Sequence, residues 1–310
     1  MNAFLPLKAG DRVALCATAR AVSPDEMAAA VAEIQSWGLH VVVPEGLYER
    51  DGQLAGSDSH RAAMLQRLLD DPSLRAIFCC RGGYGTVRIV DRLDFSAFAA
   101  HPKWIVGYSD VTVLHCHIQR TLGMPTLHAT MPLNFGTAPT PATESLRGVL
   151  FGEPIDYEWK AKSMVVERKA SLFVPHSSFT AKAPVVGGNL SILYSLLGSP
   201  SQVDTRGKIL LVEDLDEYLY HVDRMMQALR RAGMLDGVAA LMVGGLTDMH
   251  DNAIPFGRTA EQIVAEAAAA AGCPVVFGAP FGHLGDANLA LPLGREVTLT
   301  VADGHASLRG

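Results

Sequence analysis

Trp104-Ile105-Val106-Gly107-Tyr108-Ser109-Asp110-Val111-Thr112-Val113-Leu114-His115-Cys116 opens as an apolar strand. After a glycine and a serine it changes to a helical period with almost no loop between. Ser109 therefore stands at a strand-to-helix corner. A serine held there projects from the carboxyl edge of a sheet, while the free N–H groups of the next helix point at whatever its oxygen attacks. That is the placement of a nucleophile. Serine is equally suited to capping the helix that follows, and this stretch alone leaves both roles open.

Toward the N-terminus the chain repeats the same strand-and-helix rhythm. Arg12 to Ala17 reads as a buried strand, and Ser23-Pro24-Asp25-Glu26 as a capping box with proline at the first helical position. The helix it starts runs to Trp37 and stops at Gly38. Val41-Val42-Val43 is a second strand, and Ser59 to Asp70 carries Ala63, Leu65, Leu68 and Leu69 at helical spacing. Ala76 to Cys80 is a third strand, ending in the loop Arg81-Gly82-Gly83-Tyr84-Gly85, and the opening stretch is a fourth. Alternation of this kind predicts an α/β lobe, Rossmann-like, with a parallel sheet. Both loops leave carboxyl ends of strands, where open α/β sheets bind ligands.

Toward the C-terminus the pattern loosens between Pro132 and Thr180, where Pro132, Pro139, Pro141, Pro154 and Pro175 break it. Regular structure resumes at Val185-Val186-Gly187-Gly188-Asn189-Leu190, a turn feeding a helix to Leu197. Lys208 to Val212 is a buried strand that delivers Glu213-Asp214-Leu215-Asp216-Glu217 at its exit. A helix over Tyr218–Ala232, a strand over Val238–Val243, a helix over Thr259–Ala271 and a strand over Pro274–Phe277 follow. The last of these leads into Gly278-Ala279-Pro280-Phe281-Gly282-His283-Leu284-Gly285-Asp286, and Glu296 to Val301 is expected to close the sheet. The expected organisation is a nucleophile-bearing lobe over 1–150, an irregular connection over 151–180 and a second α/β lobe over 181–310.

Composition narrows the function classes. A chain of 310 residues with 49% hydrophobic content is long enough for two cores. Its net charge is -6 with 26 Lys and Arg spread thinly, so there is no basic stripe to collect nucleic-acid phosphates. The 5 cysteines, Cys16, Cys79, Cys80, Cys116 and Cys273, lack metal-type spacing and read as reduced residues of a cytoplasmic protein. No apolar run approaches the roughly 18 residues of a membrane span, and Val13 to Ala19 is too short for a signal peptide. A soluble, cytoplasmic protein without membrane or nucleic-acid partners is expected.

Three reactive side chains occupy corresponding places: Ser109 after one strand, Glu213 after a second, and His283 in a glycine-flanked loop after a third. Serine, histidine and a carboxylate are the parts needed to deprotonate a hydroxyl, fix the base in one tautomer and return the proton to a leaving group. Each also has a plainer reading. Glu213, beside Asp214, Asp216 and Glu217, fits a solvated charged turn, and the glycines around His283 fit a tight turn alone. The glycines of 81–85 match neither a dinucleotide fingerprint nor a P-loop, but can offer N–H donors to an oxyanion. His115 and His117 fall on nearly opposite helix faces, and no HExxH or cysteine-pair signature occurs, so no metal or other cofactor is expected.

Arg81-Gly82-Gly83-Tyr84-Gly85, Gly107-Tyr108-Ser109-Asp110, Gly187-Gly188-Asn189-Leu190, Leu211-Val212-Glu213-Asp214 and Phe281-Gly282-His283 together resemble the LD-carboxypeptidase family, the serine peptidases of muropeptide recycling. They stand in the family's order and cover nearly the whole chain. The resemblance implies Ser109 as nucleophile, Glu213 and His283 as its partners, and the N–H groups of Gly83 and Asp110 as the oxyanion hole. It implies a Rossmann-like N-terminal lobe, a β-rich C-terminal lobe, a homodimer, and a murein tetrapeptide that loses its terminal D-alanine. Arg81 is the first candidate for the substrate's carboxylates, with Asn189 and Arg224 as further contacts. Microcin C immunity proteins, which cleave aminoacyl or peptidyl sulfamoyl nucleotides, resemble the same family, and Trp159 would be the shelf for their base. A non-catalytic two-lobed binder of peptides or sugars is the alternative outside enzymes.

Overall fold

The computed structural model describes residues 6–163, 165–166, 173–174 and 178–310, and leaves the side chains of 162–177 undescribed. Pro175 of the expected connection lies outside the described residues. The chain forms two compact units, Met1–Glu153 with Gly285–Pro292, and Pro154–Leu284 with Leu293–Gly310. The sequence predicts one boundary at 150 and a separate connection over 151–180. Here the second unit begins at Pro154, and the chain returns to the first for eight residues directly after Leu284.

The first unit runs β1 (Arg12–Cys16), α1 (Pro24–Ser36), β2 (His40–Val42), α2 (Asp58–Asp70), β3 (Leu74–Cys79), α3 (Ser96–Ala100), β4 (Trp104–Gly107), α4 (Thr112–Leu122), β5 (Thr126–His128) and α5 (Pro141–Leu150). Ser23 caps α1 with its side chain on the Glu26 N–H, and Glu26 reaches back, the box expected from the sequence. Strands β1 to β5 pair in parallel in the order 5-4-3-1-2. Val13 to Cys16, Ile77 to Cys79 and Ile105 to Val106 are fully buried, which is why these strands read as unbroken apolar runs.

The second unit contains β6 (Asp156–Lys160), β7 (Lys162–Ser163), β8 (Val165–Val166), β9 (Phe173–Val174), β10 (Phe179–Asn189), α6 (Leu190–Ser195), β11 (Ile209–Leu215), α7 (Leu219–Arg231), β12 (Ala240–Thr247), α8 (Ala260–Ala271) and β13 (Val275–Phe277). Next come β14 (Leu291–Leu293), which edges the first sheet beside β5, then β15 (Glu296–Ala302) and β16 (His305–Arg309). Its sheet has the order 6-16-15-10-11-12-13-7. Strand β10 joins two regimes: residues 179–184 pair antiparallel with β15, and 185–189 pair parallel with β11. The sheet is therefore more β-rich than the strand-helix reading of this half, as the family resemblance implied.

The strand at Glu296 is not the last. It turns back through Asp303-Gly304, with φ of 50° and 77°, into β16, and β6 adds a further antiparallel edge. Positive φ at both central residues is the type I′ hairpin turn, for which Asp-Gly is a strong sequence signal.

Candidate active site

Ser109 has φ of 61°, one of the few non-glycine residues in the left-handed region. It opens a 3-10 turn, Ser109–Val111, that runs directly into α4, and neither helix start receives a side-chain cap. The capping role left open by the sequence is not the one its side chain performs. A backbone held there at a cost of about 1–3 kcal/mol is characteristic of a positioned functional residue.

The corner is fixed from several sides within the first unit. Buried His115 on α4 donates its Nε2–H to the Gly107 carbonyl at 2.8 Å, and Ala129 N–H reaches the same oxygen at 3.2 Å. Gly82 packs on the serine: a Cβ there would lie 3.0 Å from Ser109 Oγ and 3.5 Å from the Asp110 nitrogen. Asp110 is buried, and its carboxylate accepts the Thr86 N–H at 2.9 Å, tying the corner to the far side of the glycine loop. Burial pushes the Asp110 carboxyl upward, against the Thr86 and Gly85 N–H groups that favour its charge.

Arg61 was not singled out in the sequence, although it stands four residues before Leu65 on the buried stripe of α2. Its guanidinium is fully buried and donates to the carbonyls of Thr18 at 2.7 Å and Gly85 at 2.8 Å, and to Asp58 at 2.5 Å. Asp58 also binds Arg88 at 2.8 Å and lies 3.8 Å from Arg92. A charge on an apolar helix face was the available signal. Arg81 donates to the Ala21 carbonyl at 3.3 Å and stands 3.7 Å from Glu26.

In the second unit, Glu213 and Asp214 are both buried although they are neighbours on a strand. Ile209 to Asp214 are buried throughout, as in a strand covered on both faces. Beside it Val212 pairs with Val243 but Asp214 with Leu246, so β12 carries an extra residue at Gly244-Gly245. The Gly245 N–H binds the Phe281 carbonyl at 2.9 Å and draws the loop after β13 over Glu213. His283 Nδ1 then lies 2.6 Å from Glu213 Oε2, and the His283 N–H is 3.3 Å from the same oxygen. Gly282 has φ of 97°, and a Cβ there would lie 2.5 Å from Oε2, so only glycine fits.

Burial opposes the charged imidazole of His283, but the hydrogen bond and charge of Glu213, with the charge of Asp214, outweigh it and raise its pKa. Asp214 itself is pushed up to about 7, first by burial and then by Glu213. It accepts from Asn189 Nδ2, the Ser191 N–H and the Leu215 N–H, all at 2.9 Å. The solvated-turn reading of this segment holds only beyond it, at exposed Asp216.

Asn189 caps α6, accepting the Ile192 N–H at 3.1 Å. Arg224 stacks on Tyr220 at 5.1 Å. Trp159 donates to the Phe277 carbonyl at 3.3 Å and packs edge-on against Phe281, so its ring serves the second unit's own sheet. Among the described residues no three His, Cys, Asp or Glu side chains are placed to hold a metal ion. No helix among them is long and apolar enough to cross a membrane.

Residues 13–129 match the model of the LD-carboxypeptidase N-terminal domain, and 182–299 that of its C-terminal domain. The chain is 35% identical over 306 residues to a probable murein peptide carboxypeptidase of Bacillus subtilis, covering 97% of this chain and 92% of that protein. It is 25% identical to the microcin C7 self-immunity protein of Escherichia coli over 328 residues, 98% of this chain and 94% of that one. The crystal structure of muramoyltetrapeptide carboxypeptidase from Oxalobacter formigenes superposes with a TM-score of 0.84 at 24% identity, covering 96% and 98% of the two chains. The chain therefore belongs to the LD-carboxypeptidase family and is a carboxypeptidase of the serine type.

Proposed function

We propose that the enzyme releases the terminal D-alanine of murein tetrapeptides, with Ser109 as nucleophile, His283 as general base and Glu213 as the carboxylate that orients it. The observation that carries this reading is the His283–Glu213 pair, with a buried carboxylate 2.6 Å from Nδ1. Because Nδ1–H is given to Glu213, Nε2 is the nitrogen left to take a proton.

His283 takes the Ser109 proton as the hydroxyl attacks the carbonyl before the terminal residue. The N–H groups of Gly83 and Asp110 receive the developing oxyanion, and the imidazolium, stabilised by Glu213, protonates the leaving amine. Water releases the acyl group by the same steps in reverse roles. A cytoplasmic role in wall recycling and a homodimer, both implied by the resemblance alone, belong to the same proposal, the homodimer open to light scattering.

Ser109→Ala should abolish alanine release from the tetrapeptide at unchanged fold, read by amino-acid analysis and circular dichroism. Normal turnover would refute the reading. The same assay beside an aminoacyl-sulfamoyl adenylate separates it from immunity-type chemistry. A serine-directed acylating probe that leaves Ser109 unlabelled, with ligand recovered intact, would instead indicate a binder.

A further inference from the structure

A carboxypeptidase must recognise a free carboxylate one residue beyond the bond it cuts. One residue of chain spans about 3.3–3.6 Å, so the cation that meets this group has to stand about one residue away from the oxyanion donors. The first unit has five arginines near its glycine loop. Arg61, Arg88 and Arg92 share Asp58, and Arg81 faces Glu26.

Arg20 is the fifth. It is exposed, and among the described residues its guanidinium has no hydrogen bond, ion pair or ring contact. Its stem lies on Gly83: a Cβ added there would overlap Arg20 Cγ and Cδ. Gly82, one residue earlier, packs on Ser109. The order Ser109, Gly82, Gly83, Arg20 thus sets an uncommitted cation one residue past the glycine that faces the nucleophile. The segment is rigid on both sides, with Ala55 N–H on the Ala19 carbonyl at 3.0 Å and Ala21 N–H on the Gln53 carbonyl at 2.9 Å.

We propose that Arg20 binds the C-terminal carboxylate of the substrate and makes the enzyme an exopeptidase. This rests on Ser109 and the Gly83 loop being the catalytic machinery. A guanidinium forks two N–H donors toward a carboxylate, a geometry that neither an amide terminus nor a continuing peptide chain can match. Arg81, held by Ala21 and Glu26, then serves the loop and not the ligand.

The test compares two peptides that differ only at the end, one with a C-terminal acid and one with a C-terminal amide, so that every internal carboxylate is kept. Wild type should prefer the acid by about 10- to 100-fold in kcat/KM, mostly through KM. In Arg20→Gln the preference should collapse to within about 2-fold, the loss falling on the acid far more than on the amide. Arg20→Lys, which keeps charge and stem, should restore part of it. A wild type that discriminates, with an Arg20→Gln that discriminates equally, overturns the role of Arg20 alone. Equal losses on both peptides also overturn it, because they assign Arg20 to an internal carboxylate or to the fold. A wild type that cleaves neither peptide brings down the reading of Ser109, and this one with it.

Discussion

Glu213 Oε2 takes both the side-chain Nδ1–H and the backbone N–H of His283, at 2.6 and 3.3 Å, from inside the second unit's core. One carboxylate oxygen therefore sets the histidine's tautomer, its ring direction and the path of its loop. Such a pair orients a base and holds the cation that forms on it. Neither task survives replacement by a group without charge.

Glu213→Gln should lower kcat/KM by about 1,000- to 10,000-fold. Glu213 is a leading cause of the raised pKa of His283, so the variant's residual activity should fall off at lower pH than wild type's. The sign follows from the base being the neutral form: a raised pKa places the acid limb higher, and losing its cause moves the limb down. The pH profile of kcat/KM checks it. An acid limb that stays in place would mean that Glu213 does not set the protonation of His283.

The same pair contributes to stability. A folded pKa above the unfolded value means that the native state binds the proton more tightly. The increment is complete below the unfolded pKa of His283, whose reference value is 6.5, and is lost as pH rises through the raised folded value. Denaturant midpoints measured on either side of that window, in wild type and in His283→Ala, should differ more on the acid side.

Gly282→Ala adds a methyl group 2.5 Å from Glu213 Oε2 at a residue with φ of 97°. Backbone strain alone should cost about 1–3 kcal/mol. Because the clash is with the carboxylate that holds His283, kcat should fall far more than the melting temperature suggests. A variant destabilised but fully active would show that the loop relaxes without moving His283.

The places of Ser109, Glu213 and His283 were legible because each follows an apolar strand, and strand exits are where such sheets present side chains. The alternation of strands and helices likewise exposed the parallel sheet of β1 to β5. What stayed hidden depends on tertiary cover. Asp214 reads as part of a solvated turn because Asp216 and Glu217 follow it, and only cover on both faces of β11 buries the two neighbouring carboxylates. The return of Gly285–Pro292 to the first unit left no local signature. The β15–β16 hairpin did leave one, in Asp303-Gly304, where the strand at Glu296 was expected to end the sheet.

Arg61→Met removes one cation from Asp58, which keeps Arg88, takes the donor from the Thr18 carbonyl, and leaves the Gly85 carbonyl only the Arg88 N–H. A buried oxygen left without its partner costs about 1–3 kcal/mol. Gly85 ends the glycine loop whose Gly83 N–H is proposed for the oxyanion, so kcat should fall together with stability. Chemical denaturation and steady-state kinetics on one preparation measure both. Arg61→Lys brings a single nitrogen, which can stand in for Nη1 at the Thr18 and Gly85 carbonyls but not also for Nη2 at Asp58, and should recover stability only in part.

His115 lies on the other side of the same corner, and its burial pulls the imidazole pKa down to about 4 against the Gly107 carbonyl that favours the proton. The ring is therefore neutral in the native state near pH 6, while in the unfolded chain it titrates at its ordinary value. Below that value the unfolded state binds the extra proton, so stability falls as pH drops from 6.5 toward 4 and levels off beneath it. At about 1.36 kcal/mol per unit, a shift of this size removes roughly 3 kcal/mol. His115→Gln keeps a donor for Gly107 and has no proton to gain, so its stability should change less with pH across this window. The two slopes, taken from urea unfolding at a series of pH values, decide it. Equal slopes would show that acid sensitivity originates elsewhere than His115.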